Sequence, residues 1–329
     1  MSMKHEESGP SGTAPAIETR GLCKTFKNDI RAVQSLDMVV SRGATYALLG
    51  PNGAGKTTTI SILTTLAEPT SGKARINGRD VVTDAARVRR DIGVTFQEMV
   101  LDDVLTGRQV LDYHGRLYGL PTSERRKRAD ELLALAELSD AAGRKCKEYS
   151  GGMKRRLELA RALMTVPRVL FLDEPTLGLD PQGRTRIWDY IRELKQRAEL
   201  TVLLTTHYLD EAEHLADRVA IMDHGRLVAE GTPATLIDEL GADTIRVLGR
   251  GAADKLDSLF SNVGFVQSFS RVDGGFLLGV ESSSRHLAEV VTITDRAGFV
   301  IEDVSVAKPD LGAVFFRHTG RQLRDGVQP

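Results

Sequence analysis

The chain has 329 residues, of which 27% are charged, and a formal net charge of −1. This length allows one large or two modest domains with cores of their own, and the lack of excess positive charge argues against a nucleic-acid partner. The two cysteines, Cys23 and Cys146, are far apart and show no metal-ligand spacing, which fits a reducing cytosol without a disulfide framework.

Polar segments mark both ends of the chain. Residues 1–16 contain Gly, Pro and Ser and lack an apolar core, so they predict a disordered tail and not a signal peptide. Residues 319–329 are predicted to form a second polar tail. The longest apolar runs, such as residues 169–172, are of strand length, far below the ~20 residues of a membrane-spanning helix.

Strand-like and helix-like segments alternate over residues 17–240. Nearly continuous apolar runs at 44–50, 168–174 and 200–206 are typical of strands buried on both faces of a parallel sheet. The pairs Asn77-Gly78 and, more weakly, His224-Gly225 predict β-hairpin turns. These residues therefore predict a mixed α/β domain.

Helical patterning replaces this alternation between Glu98 and Arg161. Ser123 is a candidate N-cap, and the apolar positions after it follow the helical spacing i, i+3, i+4, i+7: Ala129, Leu132, Leu133 and Ala136. The simplest interpretation is a helical subdomain. After residue 240 the composition shifts toward Gly, Ser and Val, and residues 241–318 suggest the order β-α-β-β-α-β of a small α+β, ferredoxin-like domain.

The segment GPNGAGKTT, residues 50–58, matches the phosphate-loop pattern G-x-x-x-x-G-K-[ST] between an apolar strand and a helix. Gly53 and Gly55 allow backbone N–H groups to surround phosphates, and Lys56 can neutralise their charge. The Thr57 hydroxyl is placed to bind Mg²⁺. A glycine-rich turn without a ligand is the alternative, which this context disfavours.

Two adjacent carboxylates, Asp173 and Glu174, follow the apolar run 168–172. Alternation along a strand would direct them to opposite sides, at the sheet edge where α/β proteins bind ligands. We expect Asp173 to bind Mg²⁺ and Glu174 to act as general base toward a water in line with the γ-phosphate. A solvated strand end is the alternative, and the independent phosphate loop disfavours it.

The stretch YSGGM, residues 149–153, precedes a basic, helix-like segment. Ser150, Gly151 and Gly152 place little bulk over the unpaired N–H groups of a helix N-terminus, which suits a phosphate. Taken alone, an ordinary N-cap followed by loop glycines is the more common explanation.

Together these motifs resemble the ATP-binding-cassette (ABC) ATPases over residues 17–240, which implies an α/β P-loop NTPase fold with a mixed-sheet core, an antiparallel β subdomain and a helical subdomain. The resemblance implies ATP and Mg²⁺ as cofactors. It also implies a nucleotide site made of an aromatic residue, the phosphate loop and the signature glycines: Phe26, Gly50, Asn52, Gly53, Gly55, Lys56, Thr57, Thr58, Gly151 and Gly152. It also implies that Ser150 belongs to a signature motif, usually LSGGQ, that binds the γ-phosphate of ATP held by the other subunit of a head-to-tail dimer. Here Tyr149 replaces Leu and Met153 replaces Gln.

The resemblance also implies individual roles for four residues. Gln97 resembles the glutamine that touches Mg²⁺ or the attacking water, His207 the switch histidine at the γ-phosphate, and Asp180 the aspartate at the subunit contact. Phe26 resembles the aromatic residue that stacks on adenine, with a core phenylalanine as the alternative. A surface Gln and a simply hydrogen-bonded His are the alternatives for Gln97 and His207.

Within this superfamily, residues 101–121, YSGGM and the segment 309–321 resemble the daunorubicin/doxorubicin-resistance type of exporter ATPase. That resemblance implies a homodimer in the cytoplasm, peripheral on the inner face of the cell membrane, that drives separate ABC-2 membrane subunits and thereby efflux of a drug, antibiotic or lipid-like compound. Asp310 and Gly312 depart from the C-terminal motif of that type. A soluble ABC ATPase that acts as a mechanical or regulatory module without a transporter is the alternative.

Overall fold

The computed structural model describes residues 14–198, 200–241, 243–251 and 254–320. Their chain forms two compact units, residues 14–230 and 231–320. The short helix α8 (Pro233–Asp238) therefore lies in the second unit, whereas the sequence suggested a boundary near residue 240. The predicted tails fall largely outside the described residues, since 1–13 and 321–329 are not among them.

A six-stranded sheet, in the order β10-β9-β3-β8-β7-β6, forms the centre of the first unit. Its strands are β3 (Thr45–Leu49), β6 (Ile92–Thr95), β7 (Val169–Asp173), β8 (Thr201–Thr206), β9 (Arg218–Asp223) and β10 (Arg226–Gly231). β6, β7, β8, β3 and β9 run parallel, and every residue of β3, β7 and β8 is buried. The three apolar runs are thus confirmed as doubly covered parallel strands.

An antiparallel sheet, in the order β2-β1-β4-β5, forms the β subdomain. Its strands are β1 (Ile17–Thr25), β2 (Arg31–Val40), β4 (Ser71–Ile76) and β5 (Arg79–Asp80). Asn77 and Gly78 join β4 to β5 with φ values of 49° and 81°, and His224 and Gly225 join β9 to β10 with 46° and 80°. Both predicted turns are confirmed, because two successive positive φ values are the geometry of a type I′ hairpin.

The described part of the first unit also contains seven α-helices: α1 (Lys56–Leu63), α2 (Ala85–Asp91), α3 (Gly107–Leu117), α4 (Thr122–Leu135), α5 (Gly151–Ala162), α6 (Pro181–Ala198) and α7 (Leu209–Leu215). The helical subdomain is confirmed as α3, α4 and α5, and the apolar face predicted for α4 is buried. Ser123 is not its N-cap, because α4 already begins at Thr122. Pro121 is the N-cap, since its fixed φ and missing N–H suit a helix start.

The second unit has α+β character, as the sequence predicts. Its elements are α8, β11 (Asp243–Arg250), α9 (Asp254–Phe260), β12 (Val266–Val272), β13 (Gly275–Val280), α10 (Ser283–Arg296), β14 (Val300–Ala307) and α11 (Leu311–Thr319). The four strands form an antiparallel sheet in the order β12-β13-β11-β14, and Phe260, Phe269, Phe276 and Phe299 meet in its core. Asp310 departs from the family motif but caps α11 by accepting the Ala313 N–H at 2.8 Å.

No helix within the described ranges is both long and apolar enough to cross a membrane. The parallel strands instead position a site within the first unit. β3, β7 and β8 are neighbours and end at one edge of the sheet, so the segments that follow Leu49, Asp173 and Thr206 converge there.

Candidate active site

The phosphate loop, residues 50–55, connects β3 to α1 and is shaped by close backbone packing. Gly55 is the residue before α1 and has φ = 105°. A Cβ atom at Gly55 would lie 2.2 Å from the Ala32 carbonyl oxygen, and one at Gly50 would lie 2.3 Å from the Met222 carbonyl oxygen. Glycine is therefore required here by packing as well as by the need to expose N–H groups at the start of α1.

Lys56 is the first residue of α1, and its side chain folds back over the phosphate loop. Nζ donates to the carbonyl oxygens of Gly50, at 2.7 Å, and Pro51, at 3.1 Å, and lies 3.5 Å from Glu174 Oε1. Burial lowers the pKa of Lys56, and the carboxylate of Glu174 partly offsets this effect. Its two hydrogen-bond acceptors are neutral, so the ammonium group, which also pairs with Glu174, can attract an anion placed in the loop.

Asp173, the last residue of β7, accepts hydrogen bonds from two hydroxyl groups. Its Oδ1 accepts from Thr57 Oγ1 at 3.2 Å and from Thr205 Oγ1 at 2.5 Å. Burial raises the pKa of Asp173, although both hydroxyl contacts oppose this. The sequence predicts Thr57 and Asp173 but not Thr205, which is one of several Thr residues in an apolar run and carries no distinguishing signal.

The side chain of Glu174 also points toward the phosphate loop, but its backbone conformation is not the one expected. Strand alternation does not place it, because β7 ends at Asp173 and Glu174 adopts a left-handed conformation with φ = 47°. Its Oε1 lies 3.2 Å from His207 Nδ1 and 3.5 Å from Lys56 Nζ. Its Oε2 is buried without a hydrogen-bond partner among the described residues.

The electrostatic environment keeps Glu174 ionised. Burial raises the pKa of Glu174, but the nearby His207 imidazole and the charge of Lys56 outweigh this effect, so that the pKa lies below its ordinary value. The result is a carboxylate held at one oxygen and free at the other, which is the arrangement that a proton acceptor needs.

Three predicted site residues lie at the margins of this cluster. His207 follows β8 and packs beside Tyr208, with ring centroids 4.1 Å apart. Gln97 follows β6 and is exposed, and no hydrogen bond joins its side chain to the described residues of the cluster. Phe26 is 47% exposed, with Lys24 Nζ 5.2 Å from the ring centroid, so the alternative of a core phenylalanine is wrong.

The YSGGM stretch opens the N-terminus of α5. Ser150 is confirmed as the N-cap, since its Oγ accepts the Met153 N–H at 3.3 Å. A Cβ at Gly152 would meet nothing within 4 Å, and one at Gly151 would meet only a Leu179 methyl group at 3.8 Å. Packing among the described residues therefore does not require either glycine, and the space beside the helix N-terminus is open.

The match to known proteins covers nearly the whole chain. A model of the ABC transporter family matches residues 33–177. The chain is 51% identical to the daunorubicin/doxorubicin resistance ATP-binding protein DrrA of Streptomyces peucetius over 94% of each chain. It is also 36% identical to the linearmycin resistance ATP-binding protein LnrL of Bacillus subtilis, over 89% of this chain and 95% of that protein. The chain belongs to the ATP-binding subunits of ABC transporters.

Solved ABC cassettes share the fold of about two thirds of this chain. A dimeric cassette in a post-hydrolysis state, bound to ADP and phosphate, covers 66% of this chain and 98% of its own, with 29% identity and a TM-score of 0.60. The family therefore establishes that this chain binds nucleotide and hydrolyses ATP, and that such cassettes form dimers and work with transmembrane partners.

The departure from the usual ABC signature at Tyr149 and the orientation of Asp180 both have local structural reasons. Tyr149, in place of Leu, is buried and donates through its hydroxyl to the Ala141 carbonyl oxygen at 2.7 Å. A Cβ at Gly107, the first residue of α3, would lie 2.3 Å from this hydroxyl oxygen, so Gly107 makes room for the ring. Asp180 caps the start of α6 instead of pointing into the cluster, with Oδ1 accepting the Gly183 N–H at 2.9 Å.

The sequence gives no signal for several buried charged residues near the catalytic cluster, among them Glu211 and Arg155. Glu211 in α7 is fully buried and accepts at Oε1 from Thr176 Oγ1, at 2.7 Å, and Trp188 Nε1, at 3.0 Å; burial raises its pKa. Arg155 in α5 is 3% exposed and contacts the backbone beyond β7. Both occur in strongly charged segments, which are typical of exposed helix surfaces, so the sequence does not predict that they are buried.

Proposed function

We propose that this chain is the ATP-binding subunit of an exporter that expels a drug, antibiotic or lipid-like compound through separate ABC-2 membrane subunits. The observation that carries the proposal is similarity to antibiotic-resistance ATP-binding proteins across both units of the chain, not only across the cassette. The compound itself would be selected by the membrane subunits.

ATP hydrolysis in this proposal depends on the cluster at the end of the parallel strands. The phosphate loop and Lys56 hold the β- and γ-phosphates, Glu174 accepts a proton from the attacking water through its unpaired Oε2, and His207 orients Glu174 and contacts the γ-phosphate. Phe26, exposed near the end of β1, stacks on adenine. The remaining nucleotide contacts come from backbone N–H groups of the loop.

The donor set fits a magnesium ion. Thr57 Oγ1 and Asp173 Oδ1 are hard oxygen ligands that already lie 3.2 Å apart, and Gln97 follows the neighbouring strand. Mg²⁺ held by these residues would neutralise charge on the β- and γ-phosphate oxygens.

The open N-terminus of α5 supports a homodimer in which each signature reaches the partner's nucleotide. Ser150, Gly151 and Gly152 leave free space that no described side chain fills, and a helix N-terminus favours a phosphate. In this head-to-tail arrangement Asp180 lies at the subunit contact. A related solved cassette is a dimer bound to ADP and phosphate, which is compatible with the proposal.

An exposed apolar surface supports docking to a membrane subunit at the cytoplasmic face of the membrane. The loop before α3 and the exposed side of α3 carry large apolar side chains that are 43% to 84% exposed: Met99, Val100, Val104, Tyr113 and Leu117. Beside this surface, a groove of about 290 Å³ is lined by Phe96, His114 and Tyr118, among others. An apolar helix with a polar end fits such a surface.

Purification of the tagged chain from its native membranes tests the proposal. We expect an ABC-2 membrane protein to be recovered with it in a fixed ratio, and the pair, reconstituted in vesicles, to transport a compound only with hydrolysable ATP. Recovery of an active ATPase without any membrane protein would instead favour the soluble, non-transport alternative. A matched preparation with Leu117→Asp, which alters only the exposed surface of α3, should lose the membrane protein and keep ATP binding.

A further inference from the structure

Arg155 and Glu158 form a buried ion pair that the proposed mechanism does not use. Both belong to α5, their exposed fractions are 3% and 0%, and Arg155 Nη1 lies 3.0 Å from Glu158 Oε2. Taking two charges out of water is costly, and such pairs are often replaceable by apolar residues without loss of stability. The contacts of the pair therefore explain its presence better than stability does.

Every N–H group of the Arg155 side chain has an acceptor. Nε donates to the Pro175 carbonyl oxygen at 2.6 Å, and Nη2 donates to those of Asp173, at 3.1 Å, and Glu174, at 2.9 Å. Nη1 donates to the Phe96 carbonyl oxygen at 2.8 Å and to Glu158. A guanidinium has five N–H donors, so the group is saturated by these five contacts.

Three of these acceptors are consecutive carbonyl groups at the place where the chain leaves β7. Glu174 there adopts φ = 47°, a conformation that is costly for a residue with a side chain and persists only where its surroundings impose it. Arg155 holds the carbonyl groups before, at and after this turn. It thereby fixes the backbone that directs the Glu174 carboxylate toward His207 and Lys56.

Glu158 extends the same network to the loop that follows Gln97. Its Oε1 accepts the Val100 N–H at 2.9 Å, and Arg161 Nη1 donates to the Val100 carbonyl oxygen at 3.1 Å. The Val100 side chain is 63% exposed. One residue of the exposed apolar loop is thus held, on both sides of its backbone, by charged side chains of α5.

We propose that Arg155 and Glu158 act as a positioning pair that links the loop 96–100 to the general base Glu174. A displacement of Val100 moves Glu158, Glu158 moves the guanidinium, and the guanidinium changes how the Glu174 turn is held. The proposal rests on the proposed function of Glu174 as base and of this loop as the surface that meets a membrane subunit. It adds the physical connection between the two.

The first test asks whether Arg155 acts through Glu174. Arg155→Lys keeps the charge but cannot reach all these acceptors, so kcat should fall by roughly tenfold or more while KM for ATP stays within about threefold. In single-turnover hydrolysis, adding Arg155→Lys to Glu174→Gln should cause less than about a twofold further loss, because the base is already absent. Arg156→Lys is the matched control, since Arg156 pairs with the exposed side chain of Glu137 and not with β7.

The outcomes separate this inference from the function on which it rests. Equal fold losses from Arg155→Lys in both backgrounds, or unchanged kcat in the single variant, overturn the positioning pair and leave Glu174 as base. Near-normal turnover of Glu174→Gln alone overturns the base itself. If Arg155→Lys does not fold, Arg161→Gln gives the same comparison from the partly exposed side of the network, with the same non-additive loss expected.

The second test asks whether the loop and the nucleotide site sense each other. In Glu174→Gln with ATP and Mg²⁺, hydrogen exchange of the Val100 amide should change by several-fold relative to the nucleotide-free protein, and Glu158→Gln should remove this nucleotide dependence. Exchange at Val110, which is buried in α3 and whose N–H donates to the Thr106 carbonyl oxygen, serves as the internal control. A nucleotide-dependent change at Val100 that survives Glu158→Gln would overturn the link.

Discussion

The carboxylate of Glu174 has two unlike oxygens: Oε1 lies 3.2 Å from His207 Nδ1, whereas Oε2 is buried and has no hydrogen-bond partner within the described structure. A buried carboxylate oxygen without a partner is costly, so this atom calls for an explanation. In the proposed function, the attacking water fills that role. The histidine and Lys56 hold the other oxygen and, with it, the direction of the carboxylate.

Replacing the base should separate nucleotide binding from hydrolysis. Glu174→Gln keeps the size of the side chain but removes the proton acceptor, so turnover should fall by roughly 10²- to 10⁴-fold while ATP binding is retained. Steady-state hydrolysis and nucleotide titration on the same preparation measure both quantities. Glu124→Gln, an exposed change in α4, is the control. Near-normal turnover of Glu174→Gln would remove this residue from the mechanism.

Tyr149 replaces the Leu of the usual ABC signature, and its packing against Gly107 leads to a prediction about the free energy of unfolding. Gly107→Ala should destabilise the protein by about 1–3 kcal/mol, because the new methyl group would overlap the Tyr149 hydroxyl, which lies 2.3 Å from its position. In a Tyr149→Leu background the same change should cost less than about 0.5 kcal/mol, since the obstruction is gone. Denaturant unfolding of the four proteins measures this coupling. Equal costs in both backgrounds would contradict the packing explanation.

His114, in α3, should make the free energy of unfolding depend on pH. Burial, with a smaller effect from the charge of Arg161, lowers the pKa of His114 to about 4. Between this value and the unfolded pKa of about 6.5, the unfolded chain binds a proton that the folded chain does not, so stability should fall as pH falls through this window. His114→Gln should flatten the dependence, whereas the exposed His318→Gln should not. Thermal unfolding from pH 7.5 to 4 checks both.

A structural feature can be predicted from the sequence when the residues that determine it lie close together in the chain. The phosphate loop, the buried strands and the hairpin turns are each encoded within about ten residues and could be predicted. The left-handed turn at Glu174 could not, because it depends on Arg155, which precedes it by 19 residues and belongs to a helix that reads as basic and exposed. The burial of Glu211 likewise depends on Trp188 and Thr176, which belong to other elements.

The extent of the nucleotide-binding unit can be tested by truncation. A chain ending at residue 230 retains the whole six-stranded sheet except Gly231, and its compact unit excludes α8. We expect this chain and one ending at residue 240 to bind ATP with affinities within about threefold of each other, a difference below ~1 kcal/mol. Loss of binding in the shorter chain alone would place α8 in the cassette and support the boundary near residue 240.

The last prediction concerns the chain on which the phosphate of the Ser150 site lies. If the signature completes the nucleotide site of its own chain, Ser150→Arg should impair ATP binding by the monomer. If it reaches the nucleotide of a second subunit, the monomer should bind ATP without it, because Lys56, Thr57 and Phe26 suffice. The free space beside Gly152 is then the place where the facing phosphate loop docks.

A trapped dimer distinguishes these two arrangements. Glu174→Gln with ATP and Mg²⁺ should shift from monomer to dimer in sedimentation, because slow hydrolysis keeps the γ-phosphate in place. Adding Ser150→Arg should abolish the shift, since the guanidinium fills the open space, while monomer ATP affinity stays within about threefold. Ser123→Arg, on the exposed start of α4, should leave the dimer intact. Loss of monomer ATP binding in Ser150→Arg would show that the signature acts on its own nucleotide.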